Sequence, residues 1–472
     1  MTTIERPAVT GERVGEAMTR LLAGTPDVAG RLTSAAVAVP AIDPIGLFAA
    51  AAEADLETAL WLRPSEDLAL VGVGRAWAAE GEGPTRFHDA EASWRDLVRD
   101  AVTEGPATPT LLGGLGFTGR RPAQDDPWAP FGPSSLVLPT LLLATRNGVT
   151  TLTASALGAS EPRAVDARWE SLVERARALT PPAQGMVARP VFAPLRKDRS
   201  QPDQATWYRT VETMAGAVGR GRLDKVVLAR RVDLRSPVEL DVPNALRRLA
   251  ASAPESTIYA YRRAGRTFLG ATPERLVRVE GRQFRTAAIA GTIGRGADAA
   301  EDAKLGRDLL ASEKDREEHA IVVQFIRELL TPVAERMTVA PSPSVMTLRF
   351  VQHLATEIEG TLPDDAGLLA LGERLHPTPA VGGAPREAAL TMIDEHEGFE
   401  RGWYAGPVGW LNGAGDGELC VALRCGIVDR TRATLFAGCG IVADSDPARE
   451  WEESRIKLQA VVSALGMLED EA

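Results

Sequence analysis

The sequence predicts an α+β fold built on large antiparallel sheets. Many short apolar runs rich in β-branched residues are separated by turn residues, as in strands joined by short connections. Helical stretches lie among these runs at irregular intervals, whereas a parallel α/β fold requires strands and helices to alternate. The chain has 472 residues, of which 44% are hydrophobic, so it can bury a large core.

In the first part of the chain, predicted strands outnumber predicted helices. The Ala-rich stretch 47–62 and the charged stretch 169–179 have helical composition and spacing. The runs 68–74, 135–145 and 148–155 are short, apolar and bounded by turn residues, which predicts strands.

A Pro-rich and polar stretch from about Ser160 to Thr206 interrupts these patterns. It still contains four larger apolar residues, Val187, Val191, Phe192 and Leu195. We therefore interpret this stretch as a connection between two halves rather than as a free linker.

The second half has sharper signals. A helix is predicted after Asp203, which is a suitable N-cap, and another over 317–330. The last helix is predicted to begin at Pro447, with Ser445 or Asp446 as its cap. Seven runs predict strands: 225–234, 256–265, 266–272, 275–281, 402–411, 417–428 and 433–442.

The charge of the chain excludes some classes of partner. A formal net charge of -11 argues against a nucleic-acid backbone or an anionic membrane as the main partner. A local basic site for a small anion is still compatible with this charge. The composition therefore favours chemistry on a small molecule.

Cysteine usage and the N-terminus predict a cytoplasmic protein. Cys420, Cys425 and Cys439 lack metal-ligand spacing, so we expect buried, reduced thiols. The N-terminal segment has acidic residues and no apolar core, which argues against a secretory signal. The longest apolar run contains Pro139 and is too short to span a bilayer.

One glycine pattern is interpreted as a turn. Residues Gly114 to Gly119, GLGFTG, match the spacing of a dinucleotide-binding loop. A Pro-rich, polar stretch follows where a helix should begin, so no helix N-terminus is available for a pyrophosphate.

Acidic residues occupy unusual positions on the helix over 317–330. Glu318 shares a helical face with Val322, Phe325 and Leu329, and Asp315 lies one turn earlier. A carboxylate on an apolar face is costly unless it is paired or binds a cation.

The last helix has the same feature, because Glu450, Glu453 and Lys457 share one face. Carboxylates from two helices can hold a hard divalent ion through oxygen ligands, and magnesium fits this description best. The alternative is a set of ion pairs between neighbouring turns of exposed helices. The spacing alone does not decide between the two.

A lysine and a glutamate next to strands are candidates for proton transfer. Lys225 opens the most apolar predicted strand, where partial desolvation would lower its pKa and make a neutral amine available as a base. Glu274 follows another strand in a Thr-Pro turn and could be the matching acid. The alternative is that both are strand-end charges that reach water.

Nine ordered motifs between Asp203 and Leu465 resemble the chorismate-utilising enzymes. This family holds isochorismate synthases, salicylate synthases and the large subunits of anthranilate and aminodeoxychorismate synthases. The motifs are KVVLARR, FLGATPERLVRV, AIAGTIGRG, SEKDREEH, VQHLATEIEG, LHPTPAVGGAP, RGWYAGPVGW, VALRCGIV and LFAGCGIVADSDPAREWEES.

The resemblance implies one large α+β unit of the anthranilate synthase component I type. In such a unit two antiparallel sheets form a sandwich-like arrangement, with helices outside and the active site in a cleft. Residues 1–202 then contribute strands to the same fold, and residues 203–465 form the chorismate-binding catalytic region.

The resemblance also implies residue roles. Lys225 corresponds to the general base and Glu274 to the general acid. The implied magnesium ligands are Glu318 and Glu453, with Asp315 and Glu450 close by. The implied substrate-binding residues are Thr292, His353, Tyr404, Arg424, Gly438 and Lys457.

Within the family, the resemblance favours isochorismate synthase, in which water adds at carbon 2 of chorismate while the hydroxyl at carbon 4 leaves. Lys225 and Glu274 must then both be uncharged near pH 7. Anthranilate synthases generally have glutamine at the position of Lys225, and aminodeoxychorismate synthases have a nucleophilic lysine at that of Ala290. We therefore expect no amidotransferase subunit.

The proline- and glycine-rich loop HPTPAVGG, which begins at His376, resembles the isochorismate synthase form of an active-site wall. Two alternatives are a salicylate synthase, which also eliminates pyruvate, and a catalytically silent chorismate-binding subunit. The long first half is more similar to menaquinone-pathway members than to siderophore-pathway members. Cys439 and Ser454 depart from the alanine and threonine that are common in the family.

Overall fold

The computed structural model describes residues 13–24, 30–106, 108–158, 162–180, 193–347, 351–364 and 366–468. The described residues form eleven α-helices and twenty-four strands. Of the apolar residues in the predicted connection, Val187, Val191 and Phe192 lie outside the described residues, as do residues 1–12. Leu195 is fully buried.

The helices, in chain order, are α1 (Val14–Gly24), α2 (Pro44–Glu53), α3 (Arg86–Arg99), α4 (Pro162–Leu179), α5 (Gln204–Gly219), α6 (Val242–Ser252), α7 (Ala299–Ala311), α8 (Glu313–Leu330), α9 (Leu368–Leu375), α10 (Arg386–His396) and α11 (Pro447–Leu465). Two predicted caps are confirmed: Asp203 accepts a hydrogen bond from Thr206 N, and Asp446 caps the first turn of α11.

The first ten strands are β1 (Leu32–Ala38), β2 (Thr58–Arg63), β3 (Leu68–Val73), β4 (Trp77–Glu80), β5 (Val102–Glu104), β6 (Thr110–Leu115), β7 (Ser134–Leu138), β8 (Leu141–Arg146), β9 (Val149–Leu157) and β10 (Ala193–Gln201). The others are β11 (Lys225–Arg235), β12 (Thr257–Arg263), β13 (Arg266–Thr272), β14 (Arg275–Glu280), β15 (Gln283–Gly294), β16 (Arg336–Val339), β17 (Ser344–Thr347), β18 (Val351–Thr361), β19 (Gly383–Ala384), β20 (Pro407–Asn412), β21 (Gly417–Val421), β22 (Cys425–Asp429), β23 (Arg432–Ile441) and β24 (Gly466–Leu468).

The strands form two sheets. The larger sheet has the order β24-β10-β11-β23-β22-β13-β12-β2-β3-β8-β9-β1-β5, with β19 also paired to β11. The smaller sheet has the order β16-β18-β15-β14-β21-β20-β6-β7-β4, with β17 also paired to β18. All pairs are antiparallel except β10 with β24 and β1 with β5, at the two ends of the larger sheet. The predicted α+β fold on antiparallel sheets is confirmed.

Strands from both halves of the chain pair within each sheet. In the larger sheet β2 pairs with β12, so that Trp61 lies opposite Tyr259. In the smaller sheet β6 pairs with β20, so that Leu112 lies opposite Trp410.

One hydrophobic core lies between the two sheets. Tyr259 and Tyr261 of β12 enter it from the larger sheet, and Leu112, Val277 and Trp410 enter it from the smaller. The alternation of side chains along a strand places residues of one parity on each face, so the two tyrosines point the same way.

A second core lies between the other face of the larger sheet and a layer of helices. Ile258 and Ala260 of β12 point into it, where they join Phe48 of α2, Leu246 of α6 and Leu458 of α11. The larger sheet is therefore covered on both faces.

The helix predicted over 47–62 is shorter in the structure. α2 ends at Glu53, Asp55 has a left-handed backbone conformation with φ of 53°, and β2 begins at Thr58. β2 pairs with β3 on one side and β12 on the other, so strand pairing outweighs the helix propensity of its Ala and Leu residues.

Two runs predicted as single strands are divided in the structure. The run 135–145 is split at Pro139 into β7 and β8, and the run 417–428 is split by residues 422–424 into β21 and β22. Each break lies where the chain passes from the smaller sheet to the larger one. A proline interrupts hydrogen bonding along a strand, which accounts for the first break.

Three further expectations concern side chains and loops. Cys420, Cys425 and Cys439 are buried and unpaired with one another, as predicted. The glycine pattern that begins at Gly114 runs from β6 into a loop without a following helix, as predicted. Among the described residues, no helix combines the length and apolar character needed to span a bilayer.

Candidate active site

Glu274 and Arg424 lie where the chain passes between the two sheets. Glu274 is in the connection from β13 to β14, and Arg424 ends the connection from β21 to β22. β14 pairs with β21 and β13 pairs with β22, so the two connections run side by side. Val421 N donates to Glu274 O at 2.9 Å, and Ala271 N donates to Arg424 O at 3.2 Å.

Arg424 has a left-handed backbone conformation, with φ of 48°. This conformation is uncommon for residues other than glycine and is often found at functional sites. Burial lowers the pKa of the Arg424 guanidinium, while Tyr404 and Glu274 oppose that shift. The fold thus holds this side chain in a poorly solvated position beside a carboxyl group.

Glu274 has the electrostatic property required of a general acid. Burial raises its pKa from 4.5 to about 7, although Arg424, Lys225 and Lys457 all act to lower it. A carboxyl group with this pKa is partly protonated at neutral pH. Three cations act on this one carboxyl group, so they surround the same small region.

Lys225 is the first residue of β11. Its Nζ lies 3.0 Å from Glu318 Oε1, and its side chain is 19% exposed. A Cβ atom at Gly440 of the adjacent strand β23 would lie 2.5 Å from Lys225 Cε. Gly440 therefore leaves the space in which the lysine side chain lies, a role that sequence reasoning did not assign.

Tyr404, Arg424, Gly438 and Lys457 line one small cavity. Lys457 Nζ donates to Gly438 O at 2.9 Å. A Cβ at Gly438 would lie 2.9 Å from Tyr404 Oη, so glycine is required for this close approach. The cavity is completed by six residues that the sequence did not indicate as substrate contacts: Val227, Ala380, Val381, Leu423, Phe436 and Ala437.

The cavity lining provides both donors and apolar surface. Burial raises the pKa of Tyr404, so its hydroxyl remains a hydrogen-bond donor, and its ring stacks on Phe436 with centroids 5.3 Å apart. With Arg424 and Lys457, the cavity presents two cations and a phenol. This arrangement can bind a small carboxylate anion.

Thr292 and His353 lie opposite each other on β15 and β18 of the smaller sheet. Thr292 Oγ1 is 2.9 Å from His353 Nδ1, which also lies 3.2 Å from Gly291 O. Burial, together with the cations Arg424 and Lys457, lowers the pKa of His353 to about 4. His353 is therefore neutral at pH 7 and lies in the field of the same cations as Glu274.

The buried face of α8 differs from the predicted face, so its acidic residues are less buried than expected. The fully buried residues of α8 are His319, Val322, Ile326 and Leu330. Glu318 lies at the edge of this stripe and its side chain is 38% exposed. His319 was not identified from the sequence; its Nε2 lies 2.7 Å from Thr356 Oγ1 and fixes α8 against β18.

Asp315 is hydrogen-bonded to Ser312 at the start of α8. Its N–H donates to Ser312 Oγ, and Ser312 Oγ in turn donates to Asp315 Oδ2. Ser312 is the N-cap of the helix, so its hydroxyl both caps the first turn and binds the Asp315 carboxylate. Gly291 packs closely against Asp315, where a Cβ at position 291 would lie 3.2 Å from that of the aspartate.

The carboxylates of α11 lie close together. Glu450, Glu453 and Cys439 place potential ligand atoms within 4.8 Å of one another. Burial raises the pKa of Glu450, and the neighbouring Glu453 raises it further. Burial would also raise the pKa of Glu453, but Lys457, Arg424 and Lys225 outweigh this effect and lower it.

Two contacts bring α8 and α11 together. Lys225 contacts Glu318 of α8 and also acts on Glu453 of α11. Lys314 Nζ in the first turn of α8 lies 3.1 Å from Asp444 Oδ2 in the loop before α11. The carboxylates of both helices therefore face one region. Their hard oxygen donors fit magnesium, whereas the Cys439 thiol, which donates to Glu450 O, is a soft ligand.

The proline- and glycine-rich loop lies against the strand that begins with Lys225. β19 of this loop pairs with β11, and Val227 N donates to Gly382 O at 2.9 Å. Gly383 has φ of 134°, and a Cβ there would lie 2.3 Å from Lys225 O. The loop supplies Ala380 and Val381 to the cavity, so it forms one of its walls.

Comparison with known proteins identifies similar sequences and structures. The profile of a family described as chorismate binding enzyme matches residues 20–466. The salicylate biosynthesis isochorismate synthase of Pseudomonas aeruginosa is 39% identical over 444 residues, which cover 93% of this chain and 92% of that protein.

Two solved structures share the fold. The menaquinone-specific isochorismate synthase MenF from Escherichia coli superposes with a TM-score of 0.77 and 26% identity, covering 96% of this chain and 99% of that one. Anthranilate synthase component I from Streptococcus pneumoniae superposes with a TM-score of 0.69 and 22% identity, covering 84% and 92%.

Proposed function

The chain belongs to the family of chorismate-binding enzymes, and we propose that it is a magnesium-dependent isochorismate synthase. In this reaction water adds at carbon 2 of chorismate, both ring double bonds shift, and the hydroxyl at carbon 4 leaves as water. The names of similar proteins support this activity. The geometry supports it through one carboxyl group, Glu274.

The observation that carries the proposal is the position of Glu274 in the connection beside Arg424, where burial raises the pKa of its carboxyl group to about 7. The departing hydroxyl is a poor leaving group unless it is protonated, so a neutral carboxylic acid must lie beside it. Glu274 lies next to Arg424, which holds the substrate in place by binding one of its carboxylates.

Lys225 is the proposed general base. In this role the Lys225 amine accepts a proton from the attacking water as the oxygen bonds to carbon 2, while Glu274 gives its proton to the hydroxyl that leaves carbon 4. Lys225 gains one proton as Glu274 loses one, so the two proton transfers balance. Gly440 and β19 fix the lysine at the start of β11.

The proposed substrate site is the small cavity together with its surroundings. Arg424 and Tyr404 bind the enolpyruvyl carboxylate through a guanidinium and a phenolic donor. Lys457 and the backbone of Gly438 would lie along the anion, and Thr292 with neutral His353 would line the surrounding pocket.

Glu318 and Glu453 are the proposed magnesium ligands, with Glu450 and Asp315 as further or water-mediated ligands. When bound, magnesium neutralises and orients the ring carboxylate of chorismate. The crowding of Glu450 and Glu453 on α11 supports this assignment, because two neighbouring carboxylates favour a divalent cation.

The residues at two positions favour a reaction in which water is the nucleophile and no covalent intermediate forms on the enzyme. Lys225 can act as a base for water, and Ala290 has no nucleophilic group. We therefore propose that the enzyme works without an amidotransferase subunit. The isochorismate would supply menaquinone or siderophore synthesis.

The test is chromatography of the products after incubation of the purified protein with chorismate and magnesium, with a chelator as control. We expect a mixture of chorismate and isochorismate that forms only with magnesium. Salicylate and pyruvate in place of isochorismate would identify a salicylate synthase. Binding of chorismate without conversion would contradict the proposed reaction.

A further inference from the structure

Among the residues that the structure describes, no strand pairs with part of one edge of β11, the strand that carries Lys225. Along its other edge, β11 pairs with β23 without interruption from Val226 to its end. On the incompletely paired edge of β11, β19 pairs only with Lys225 and Val226, and β10 pairs only from Arg231 onward. Residues 227–230 lie between these two partners, and their buried backbone groups still require hydrogen bonds.

A buried ion pair, Glu397 with Arg401, occupies this gap. Ala229 N donates to Glu397 Oε1 at 2.7 Å, and Arg401 Nη2 donates to Val227 O at 2.8 Å. A neighbouring antiparallel strand would present one donor and one acceptor to the same two groups. The guanidinium and the carboxylate take the place of those backbone groups.

The pair is held rigidly. Arg401 Nε donates to Glu397 Oε2 at 2.7 Å, and each side chain is only 2% exposed. The guanidinium also lies over the Phe117 ring, 4.3 Å from its centroid. Two buried charges that are paired and fully hydrogen-bonded allow little variation in position.

The same guanidinium also reaches the cavity wall. Arg401 Nη1 donates to Val381 O at 2.8 Å, and Val381 lines the cavity beside Arg424 and Tyr404. One side chain therefore connects the wall formed by the proline- and glycine-rich loop to β11, two residues after Lys225.

We infer that Glu397 and Arg401 are positioning residues, which fix the Lys225 strand and the Val381 wall in one arrangement. This inference rests on the proposed role of Lys225 as the base. A displacement of about 1 Å in a reacting group can lower a rate by about 100-fold, so the loss of this connection affects turnover even in a folded protein.

The test separates positioning from stability. Replacing both charges with apolar residues of similar volume, in Glu397→Leu/Arg401→Met, avoids an unpaired buried charge and often preserves stability. The backbone groups of Val227 and Ala229 nevertheless lose their partners. As a second variant, Arg401→Lys keeps the ion pair but cannot present the two donors of the guanidinium fork.

The measurements are kcat and KM for chorismate, and amide hydrogen exchange over 225–230 and 378–382. For the double variant we expect faster exchange in both segments, a kcat lower by about 10- to 100-fold, and a KM within about threefold of wild type. For Arg401→Lys we expect a smaller decrease in kcat and a smaller increase in exchange. Leu246→Ala, in the second core, should lower the unfolding temperature but leave kcat unchanged.

A wild-type kcat in folded Arg401→Lys and in the double variant would overturn the inference, even if exchange were faster. Unchanged exchange in both segments would also overturn it. If the wild-type protein formed no isochorismate, the proposed function would fail instead, and the exchange data would still report whether the pair holds β11.

Discussion

Glu274 and Arg424 are held side by side by two chain connections that pass between the sheets in opposite directions. The hydrogen bonds Val421 N to Glu274 O and Ala271 N to Arg424 O tie these connections together. The proposed acid and the proposed carboxylate anchor are thus positioned by backbone contacts, which most side-chain substitutions leave in place.

The rate of the reaction should depend on the protonation of Glu274. Because its pKa is raised to about 7, the acid form is present below that pH and is lost above it. We expect kcat to be level below about pH 6, to reach about half of that level near pH 7, and to fall by about tenfold per pH unit well above pH 8. A pH profile of isochorismate formation measures this, and a profile still level at pH 9 would contradict it.

Glu274→Gln should be inactive but more stable than wild type at alkaline pH. The folded state binds the proton of Glu274 more tightly than the unfolded state, so folding stability falls as pH rises from 4.5 through about 7. The substitution removes this cost, which amounts to about 3 kcal/mol at most above pH 7. Denaturant unfolding at pH 8.5 should show the gain, and unfolding at pH 4.5 should show almost none.

Lys225→Gln should abolish isochorismate formation while the protein remains folded. The amide cannot accept a proton from water, but it can still donate a hydrogen bond to Glu318. Product chromatography measures isochorismate formation, and circular dichroism shows whether the variant is folded. Turnover similar to wild type in this variant would exclude Lys225 as the base.

Glu318→Gln and Glu453→Gln should each raise the magnesium concentration required for half-maximal activity, by about tenfold or more. The matched controls are Glu317→Gln and Glu452→Gln, which remove a charge from the neighbouring position. Glu452 pairs with Arg455 on the exposed side of α11, so its loss should have little effect. If the ligand variants and the control variants required equally raised magnesium concentrations, the cause would be the loss of negative charge in general and not the loss of a ligand.

Gly440→Ala should lower kcat with little loss of stability. The added Cβ would come within 2.5 Å of Lys225 Cε, and a flexible lysine side chain can move away from it. Movement of the proposed base reduces turnover, whereas the backbone packing is unchanged. Kinetics and thermal unfolding of this variant, with wild type as reference, distinguish the two effects.

Regular periodicity allowed much of the fold to be predicted from the sequence. The strands β11, β12 and β13 and the helices α8 and α11 follow local patterns of apolar residues and caps, and they are confirmed. The division between β21 and β22 was not predicted, because Ala422 and Leu423 are apolar and a single charged residue, Arg424, does not interrupt a strand pattern. Only the passage between sheets makes these residues a connection.

The site could be predicted only in part. Lys225, Glu318 and Glu453 stand out as charges in apolar surroundings, but the roles of Thr292 and His353 came from family resemblance alone. Glu397 and Arg401 gave no signal, because a glutamate and an arginine four positions apart are common on exposed helices. Their burial depends on a gap in strand pairing that involves residues distant in sequence.

The pairing of strands from both halves has a consequence for synthesis on the ribosome. Arg63 at the end of β2 and the fully buried Glu418 of β21 form an ion pair although they are 355 positions apart. Contacts of such long range slow folding, because a long loop must close before they form. While the chain emerges, β2 and β6 have no partners for one edge, and exposed strand edges promote aggregation. We therefore expect the nascent first half to be prone to aggregation until the second half of the chain supplies these partners.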